Sequence, residues 1–329
     1  FEFFSPIFGT LVALATGSSA ESRFNAYSVT KTFTATAILQ LAEQSKIDLD
    51  EPIARYVDQF PYRKSPTIRQ TLCHTGGIPN PMPLAWVHLV DEHQTFDKSR
   101  FVAQVIAQHP RLKSEPAATY AYSNIGYLLL GDVIEKVSGQ RYTDYIEQHV
   151  IGPLQLQHGE TLAFTIAQPK AHARGYIKRW SLFNAALGLF IDRNRFIDVR
   201  SGRWVQFKNH YVNGAAYGGL IGNAPGFARY LQALLARHDY LSAPTRALLF
   251  APAHTRNGKE LPRSLGWFIG NMKGETYYTH AGGGAAYYCE LRIYPHIERA
   301  SVVMFNRAGM RDERILDRID GFLVSRADS

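Results

Sequence analysis

Residues 265–305 read LGWFIGNMKGETYYTHAGGGAAYYCELRIYPHIERASVVMF, and this stretch decides the fold that we predict. Four short runs in it are rich in aromatic or β-branched residues and are separated by Gly, Pro or Asn; they span residues 265–269, 276–279, 286–294 and 301–305. Such runs are typical of antiparallel strands joined by turns. We therefore predict an antiparallel sheet in the last third of the chain, followed by a helix over residues 314–324.

Towards the start of the chain, the apolar segment 9–15 predicts one more buried strand. Apolar residues then recur at four-residue spacing from Val29 to Leu41, which predicts an amphipathic helix. Further helices are predicted over residues 125–137, closed by Ser138-Gly139, and over residues 225–236. The fold class is therefore α/β of the α+β kind, with an antiparallel sheet built from both termini, flanking helices and an inserted α-rich part.

The composition is that of an ordinary globular protein. The 329 residues are 46% apolar and 19% charged, and they carry a formal net charge of +8. The basic residues form no Lys/Arg block; Arg193, Arg195, Arg200 and Arg203, for example, stand among apolar neighbours. We therefore expect a generally basic surface or a modest preference for carboxylate-bearing substrates, and no nucleic-acid partner.

Targeting features are few. No apolar run reaches the ~18 residues of a membrane span. Residues 1–15 are apolar but lack a basic n-region and contain Pro6, so we interpret residues 9–15 as a strand rather than part of a signal peptide. The chain does not begin with Met. Both an exported and a cytoplasmic location stay open, and so does the oligomeric state. Cys73 and Cys289 are expected to be small buried residues, not a disulfide.

Ser28-Val29-Thr30-Lys31 is the first candidate for chemistry. Ser28 and Lys31 are three residues apart at the start of a predicted helix, so they share one face. A serine hydroxyl is a poor nucleophile unless a base takes its proton, and lysine can do so when burial lowers its pKa. S-x-x-K arises by chance about once in a chain of this length, so the motif needs support from others.

Tyr122-Ser123-Asn124 is the second candidate, directly before the predicted 125–137 helix. A tyrosine hydroxyl near Lys31 could relay protons, and an asparagine amide could orient a substrate carbonyl. Tyr211-Val212-Asn213 has the same pattern but lies in residues 155–215, where no period is clear. We therefore favour the first copy.

His280-Ala281-Gly282-Gly283-Gly284 is the third candidate, between two predicted strands. Consecutive glycines in a strand mark the close approach of another group to the backbone. Such a strand edge could supply an oxyanion-hole N–H; the alternative is a glycine-rich hairpin with an incidental histidine. His74-Thr75-Gly76 also matches H-x-G, but it lies upstream of Tyr122.

The three candidates follow one another along the chain as S-x-x-K, Y-x-N and K/H-x-G. In this order they resemble the motifs of the serine β-lactamase and penicillin-binding-protein superfamily. The likeness extends over about residues 25 to 325 and is greatest to the branch of class C β-lactamases, D,D-carboxypeptidases, D-aminopeptidases and serine esterases. Further segments match at corresponding places: residues 72–79, 122–131, 135–139, 153–154, 218–220 and 266–267. The resemblance implies an α/β domain from residues 1–65 and 215–329, an α-rich domain from residues 66–214, and an active site in the cleft between them.

The resemblance also implies a role for each motif residue. Ser28 would be the acylated nucleophile, Lys31 its activating partner and Tyr122 the proton relay to the leaving group. The remaining assignments are substrate contacts at Asn124, His280 and Gly282, and an oxyanion hole formed by the backbone N–H groups of Ser28 and Gly283.

Two features depart from the family pattern. Only 27 residues precede Ser28, so one or more N-terminal strands are expected to be missing or trimmed. The third motif begins with His280 instead of lysine. A histidine near its unperturbed pKa of ~6.5 is about half-protonated and would anchor a substrate carboxylate weakly. This difference favours peptidase or esterase chemistry over efficient β-lactam hydrolysis.

We therefore predict a serine hydrolase that acts through acyl-Ser28, either a carboxylesterase or a D-amino-acid peptidase. The alternatives are a true β-lactamase, an acyltransferase or a non-catalytic penicillin-binding sensor module. The substrate would be a small ester, a β-lactam or a D-amino-acid peptide. An apolar acyl pocket is predicted from aromatic residues in the two segments that we expect to shape it: Trp86, Phe164, Trp180 and Phe183.

Other enzyme classes lack their motifs here. No G-x-S-x-G elbow, G-x-G-x-x-G or Walker sequence is present. His88 and His93, with Asp91 and Glu92 between them, fit no familiar metal-ligand spacing and are expected to form a solvated polar loop. No cofactor or metal is predicted.

Overall fold

The computed structural model describes residues 3–4, 11–16, 19–58, 60–284, 286–307 and 315–325. Its largest element is a six-stranded sheet to which both ends of the chain contribute, as predicted. Across the sheet the strands follow the order Phe3–Phe4, Leu11–Thr16, Arg299–Phe305, Tyr288–Tyr294, Glu275–Gly283 and Phe268–Met272. Residues 9 and 10 of the predicted first strand lie outside the described residues.

Most neighbouring strands are antiparallel, but Leu11–Thr16 runs parallel to Arg299–Phe305. Parallel strands cannot be joined by a tight turn, and here the connection is almost the whole chain. The predicted 265–269 strand begins only at Phe268, because Gly266 turns the backbone with a φ of +81°. The predicted 276–279 strand instead extends to Gly283 and contains most of the third motif.

Helices surround the sheet and fill the sequence between its strands. The α-helices are Thr30–Glu43, Ile68–Leu72, Lys98–Gln108, Asn124–Ser138, Tyr142–Tyr145, Leu182–Leu187, Arg193–Phe196, Ala215–Gly218, Ala224–Ala236, Ala243–Phe250, Ile315–Ile319 and Gly321–Ser325. A π-helical turn, Ile146–Ile151, continues directly from the Tyr142–Tyr145 helix. Four small sheets complete the fold. Two are three-stranded: in one, Ile221–Gly222 lies between Phe24–Asn25 and Leu162–Ala163, and in the other, Trp204–Phe207 lies between Gly175–Lys178 and Ile197–Ser201. The other two are pairs, Val87–Leu89 with His210–Val212 and Ala253–His254 with Glu260–Leu261.

The helix predicted over 125–137 is confirmed, with both of its ends capped. The Ser123 hydroxyl accepts a hydrogen bond from the Gly126 N–H at 2.9 Å, and Gly139 ends the helix with a φ of +70°. The last predicted helix is interrupted at Asp320, whose carboxylate accepts hydrogen bonds from the side chains of Tyr294 and Ser301. Residue 314 of that prediction lies outside the described residues.

The sheet is covered on both faces. Leu291, with its neighbours on one face, belongs to the main hydrophobic core. On the other face Arg292, fully buried, makes ion pairs with Glu290 at 3.0 Å and with Asp317 of the C-terminal helix at 2.7 Å. A buried guanidinium needs such partners, since an unpaired buried charge strongly destabilises a fold. This network therefore fixes the C-terminal helix against the sheet.

Cys73 and Cys289 are both buried and free, as expected. Within the described ranges, every helix is too short or too polar to cross a membrane. The division into residues 1–65 with 215–329 and residues 66–214 stays a prediction.

Candidate active site

Ser28 lies in a one-turn 3₁₀ segment, Tyr27–Val29, that leads directly into the Thr30–Glu43 helix. Tyr27, the residue before it, has a φ of +46°, which is rare for a residue with a side chain. Such backbone strain clusters at functional sites, because the surrounding structure has to impose it. The Ser28 hydroxyl is met by two donors: Lys31 Nζ at 3.0 Å and the Tyr122 hydroxyl at 2.8 Å.

Lys31 is completely buried on the same helix. Burial holds the pKa of its amine well below the ordinary lysine value, because the charged form is poorly solvated there. Its Nζ also donates to the Tyr217 carbonyl at 2.8 Å and lies 5.0 Å from the centre of the Tyr122 ring. The amine is thus held in place and is available in its neutral form as a base.

Tyr122, which donates to Ser28, comes just before the Asn124–Ser138 helix, and Asn124 is the first residue of that helix. The backbone N–H of Asn124 donates to the Asn80 side-chain oxygen at 2.9 Å. The Asn124 side chain is buried, and its carbonyl oxygen has no hydrogen-bond partner among the described residues. An unsatisfied buried acceptor is unusual and is consistent with a group that waits for a ligand.

His74, set aside in the sequence as a second H-x-G, lies against Tyr122. The two rings are 4.2 Å apart between centroids, and His74 Nδ1 accepts a hydrogen bond from the Ser123 N–H at 3.1 Å. His74 has a φ of +58° and is buried. Sequence reasoning missed this positioning residue, because its contact with Tyr122 spans 48 positions; the signal available was its place in the 72–79 segment.

The third motif lies in the Glu275–Gly283 strand, beside the Ser28 turn. A Cβ added to Gly282 would collide with the Ala26 carbonyl and come within 2.9 Å of the Ser28 nitrogen. A Cβ on Gly284 would collide with the Tyr27 ring. The prediction that these glycines permit close approach of another group is therefore confirmed. Gly283 is paired with Tyr288 at the end of the strand and is exposed.

His280 differs from the expectation of a half-charged anchor. It is 1% exposed, its Nδ1 contacts the Ala281 carbonyl at 3.0 Å, and its ring meets that of Phe268 edge-on. Burial lowers the pKa of His280 to about 3. The imidazole is thus neutral at pH 7, because the strand holds it in the interior, where the unperturbed pKa does not apply.

Arg263 places a guanidinium beside Phe268, whose ring also meets that of His280. The charged carbon of Arg263 lies 4.2 Å from the ring centres of both Tyr120 and Phe268, and the Phe268 ring lies 6.5 Å from that of Tyr122. Arg263 is partly exposed, so its charge remains accessible.

The second Y-x-N does not join the site. Tyr211 is buried in the His210–Val212 strand, where its hydroxyl accepts from the Ile166 N–H at 2.7 Å. Asn213 contacts His88 Nδ1 through its side-chain oxygen at 2.7 Å. Of the predicted solvated polar loop, Asp91 and His93 are exposed and Glu92 is partly exposed. His88 is the exception: it is buried and contacts His93 at 2.9 Å, because its strand, Val87–Leu89, pairs with His210–Val212.

The predicted acyl pocket is wrong for Trp180, which lies on the outer surface and is 84% exposed. Phe164 packs in the core against Tyr142, and Trp86 is buried between Phe101 and Tyr217. The Phe183 side chain lies outside the described set. A pocket lined by the other aromatic residues stays a prediction.

The two tyrosine motifs allow a direct comparison. We expect Tyr122→Phe to lower kcat by about 10²-fold or more, because it removes the hydroxyl that donates to Ser28. Tyr211→Phe should leave kcat within a few-fold of wild type, since its hydroxyl serves the Ile166 backbone. Steady-state kinetics on one ester, with thermal melts to check folding, measure both; the opposite ranking would mean that the second motif is misplaced.

The fold is of the β-lactamase/transpeptidase-like class. This class is defined by a mainly antiparallel sheet with helices on both faces, and by an S-x-x-K turn that faces Y-x-N and H-x-G. The family model described as Beta-lactamase matches residues 10–324, and the chain belongs to this family. Solved structures with a similar fold include a D-stereospecific amidohydrolase from Streptomyces sp. and a β-lactamase/D-alanine carboxypeptidase from Yersinia pestis.

Similar proteins include penicillin-binding protein 4* of Bacillus subtilis, 24% identical over 87% of this chain and 61% of that protein. The chain thus spans less than two thirds of this relative. The D-amino acid amidase of Ochrobactrum anthropi SV3 has a similar structure, with a TM-score of 0.73 at 19% identity over 94% of this chain and 87% of that one. An octameric penicillin-binding protein homologue from Pyrococcus abyssi gives 0.72 at 24% identity, over 94% and 67% of the two chains.

Proposed function

We propose that this protein hydrolyses ester or amide bonds through an acyl intermediate on Ser28. One observation carries the proposal: the Ser28 hydroxyl is hydrogen-bonded at once by a buried lysine amine and by a tyrosine hydroxyl. Burial lowers the pKa of Lys31, so a neutral base stands beside a nucleophile. A non-catalytic binding module has no evident need for this arrangement.

The proposed reaction begins when neutral Lys31 takes the Ser28 proton while the serine oxygen bonds to the substrate carbonyl carbon. The backbone N–H groups of Ser28 and Gly283 would stabilise the resulting oxyanion. Tyr122 then donates its proton to the departing alcohol or amine, and the carbonyl re-forms as acyl-Ser28. Water then attacks this ester and gives a proton to the Tyr122 oxygen. As the acid leaves, Ser28 takes back its proton from Lys31, so the serine, the neutral lysine and the tyrosine hydroxyl are all restored.

We also propose that the substrate enters between residues 1–65 with 215–329 on one side and residues 66–214 on the other. Ser28 and His280 come from the first part, and Tyr122 and Asn124 from the second. Asn124 would contact the substrate amide through its unsatisfied carbonyl oxygen. His280, neutral and buried, would shape the pocket instead of anchoring a charge.

Two substrate classes fit this site. Simple esters need no charged anchor, which agrees with the neutral His280. A D-amino-acid peptide carries a carboxylate, for which Arg263 is the candidate partner because it lies beside Phe268 and Tyr120 and stays partly exposed. The D-amino acid amidase among the structural neighbours makes the second class worth testing.

We expect kcat/KM for p-nitrophenyl butyrate to exceed that for nitrocefin at pH 7 to 8. An ester loses its alcohol on acylation and opens a path for water, whereas an opened β-lactam keeps its ring remnant tethered beside the carbonyl. A D-alanyl dipeptide assayed on the same preparation tests the peptidase class, and Arg263→Gln should raise KM for this carboxylate-bearing substrate while KM for p-nitrophenyl butyrate stays unchanged. A nitrocefin value well above the ester value would make β-lactamase the better assignment.

A further inference from the structure

One surface combines exposed apolar side chains with positive charge. Among the described residues, the exposed large hydrophobic side chains are Met82, Trp180, Leu182, Leu189, Phe190, Val199 and Phe322. Five of these seven fall between positions 180 and 199. Trp180, Leu182 and Leu189 are each more than 80% exposed, which is rare for such side chains.

This exposure does not result from a lack of structure. The segment forms the three-stranded sheet of Gly175–Lys178, Trp204–Phe207 and Ile197–Ser201 with two short helices. It buries its own Leu187 and Phe196 almost completely. The Asn184 side chain holds the Trp180 turn by donating to the Arg179 carbonyl at 2.8 Å. The segment thus packs Leu187 and Phe196 into the main hydrophobic core and still presents other apolar residues outward.

Charge is concentrated on the same segment. Residues 178–203 hold six exposed cations, Lys178, Arg179, Arg193, Arg195, Arg200 and Arg203, against the carboxylates of Asp192 and Asp198. Their net charge of +4 is half of the whole chain's +8, in 26 of 329 residues. Of these cations, Arg195 is paired with Glu92 and Arg179 lies 5.3 Å from the Trp180 ring centre. The general basic surface expected from sequence is therefore uneven.

We propose that this basic apolar face, residues 178–203, binds the surface of an anionic lipid bilayer. Tryptophan and leucine side chains enter the interface between headgroups and acyl chains, while arginine and lysine pair with lipid phosphates. A second copy of the chain is a poorer occupant, because two faces of +4 would repel each other in a symmetric contact. The face would hold the protein at a membrane surface without a spanning helix.

Vesicle sedimentation tests this proposal with the full chain. We expect binding to vesicles of equimolar phosphatidylcholine and phosphatidylglycerol, little binding to phosphatidylcholine alone, and release at about 1 M salt, where the Debye length is about 3 Å. Trp180→Ser should weaken the partition coefficient by about tenfold through lost apolar burial. The matched control is Phe322→Ser, since Phe322 is 78% exposed elsewhere.

The charge is tested separately. Arg200→Gln with Arg203→Gln should weaken binding by about tenfold or more, whereas Lys46→Gln with Lys259→Gln, which removes two exposed cations elsewhere, should have little effect. Ser28→Ala should bind as wild type does. Three results would overturn the proposal: absence of vesicle binding, equal binding to both vesicle compositions, or self-association on gel filtration that Trp180→Ser abolishes while sedimentation is unchanged.

Discussion

Ser28→Ala is expected to lower kcat by several orders of magnitude while the protein stays folded. The hydroxyl is the only side-chain group that this substitution removes, and it is the shared acceptor of Lys31 and Tyr122. Removal of a nucleophile eliminates the covalent route and leaves only the contribution of binding and oxyanion stabilisation. Ester turnover by wild type and variant, measured on matched preparations with thermal melts, gives the size of the effect.

Covalent labelling identifies the nucleophile independently of turnover. A fluorophosphonate or a fluorescent penicillin should modify Ser28, as mapped by mass spectrometry, and Ser28→Ala should remain unlabelled. Ser19→Ala is the matched control, because Ser19 is exposed and bonds only to Ser22. Modification at another serine, or turnover by Ser28→Ala close to that of wild type, would remove the basis of the proposed function.

The second large effect is a loss of stability in mild acid. Burial lowers the pKa values of His172 and His280 to about 3 and that of His210 to about 4. Between about pH 6.5 and these values, the unfolded chain binds protons that the folded protein does not bind. Stability is therefore complete above pH 6.5 and falls as the pH decreases. At pH 5 each histidine contributes a loss of about 2 kcal/mol.

Together these three losses approach the whole free energy of unfolding of a typical domain, so we expect marginal stability near pH 5. Urea unfolding at pH 7.5 and pH 5 measures the difference. His172→Phe should reduce it by about 2 kcal/mol, since neither ring nitrogen of His172 has a partner among the described residues. His158→Gln, at an exposed position, is the control. Equal unfolding free energies at both pH values would contradict the prediction.

The sequence by itself determined the features that depend on neighbours along the chain. Spacing alone placed Ser28 and Lys31 on one helical face, because a helix brings residues three apart together. Ser138-Gly139 marked the end of the Asn124–Ser138 helix, since a C-cap is chosen by local backbone geometry. The third-motif glycines likewise indicated a close backbone approach before the approaching group was known.

Only the tertiary structure decided which distant groups meet and how far each is buried. It made His280 neutral, placed His74 against Tyr122, and put Trp180, which sequence had assigned to a pocket, on the outer surface. The physical reason is that pKa and exposure depend on the dielectric surroundings and on atoms contributed by remote segments. Residue type and spacing do not encode these quantities, so Trp180 could be located on the outer surface only once the chain was folded.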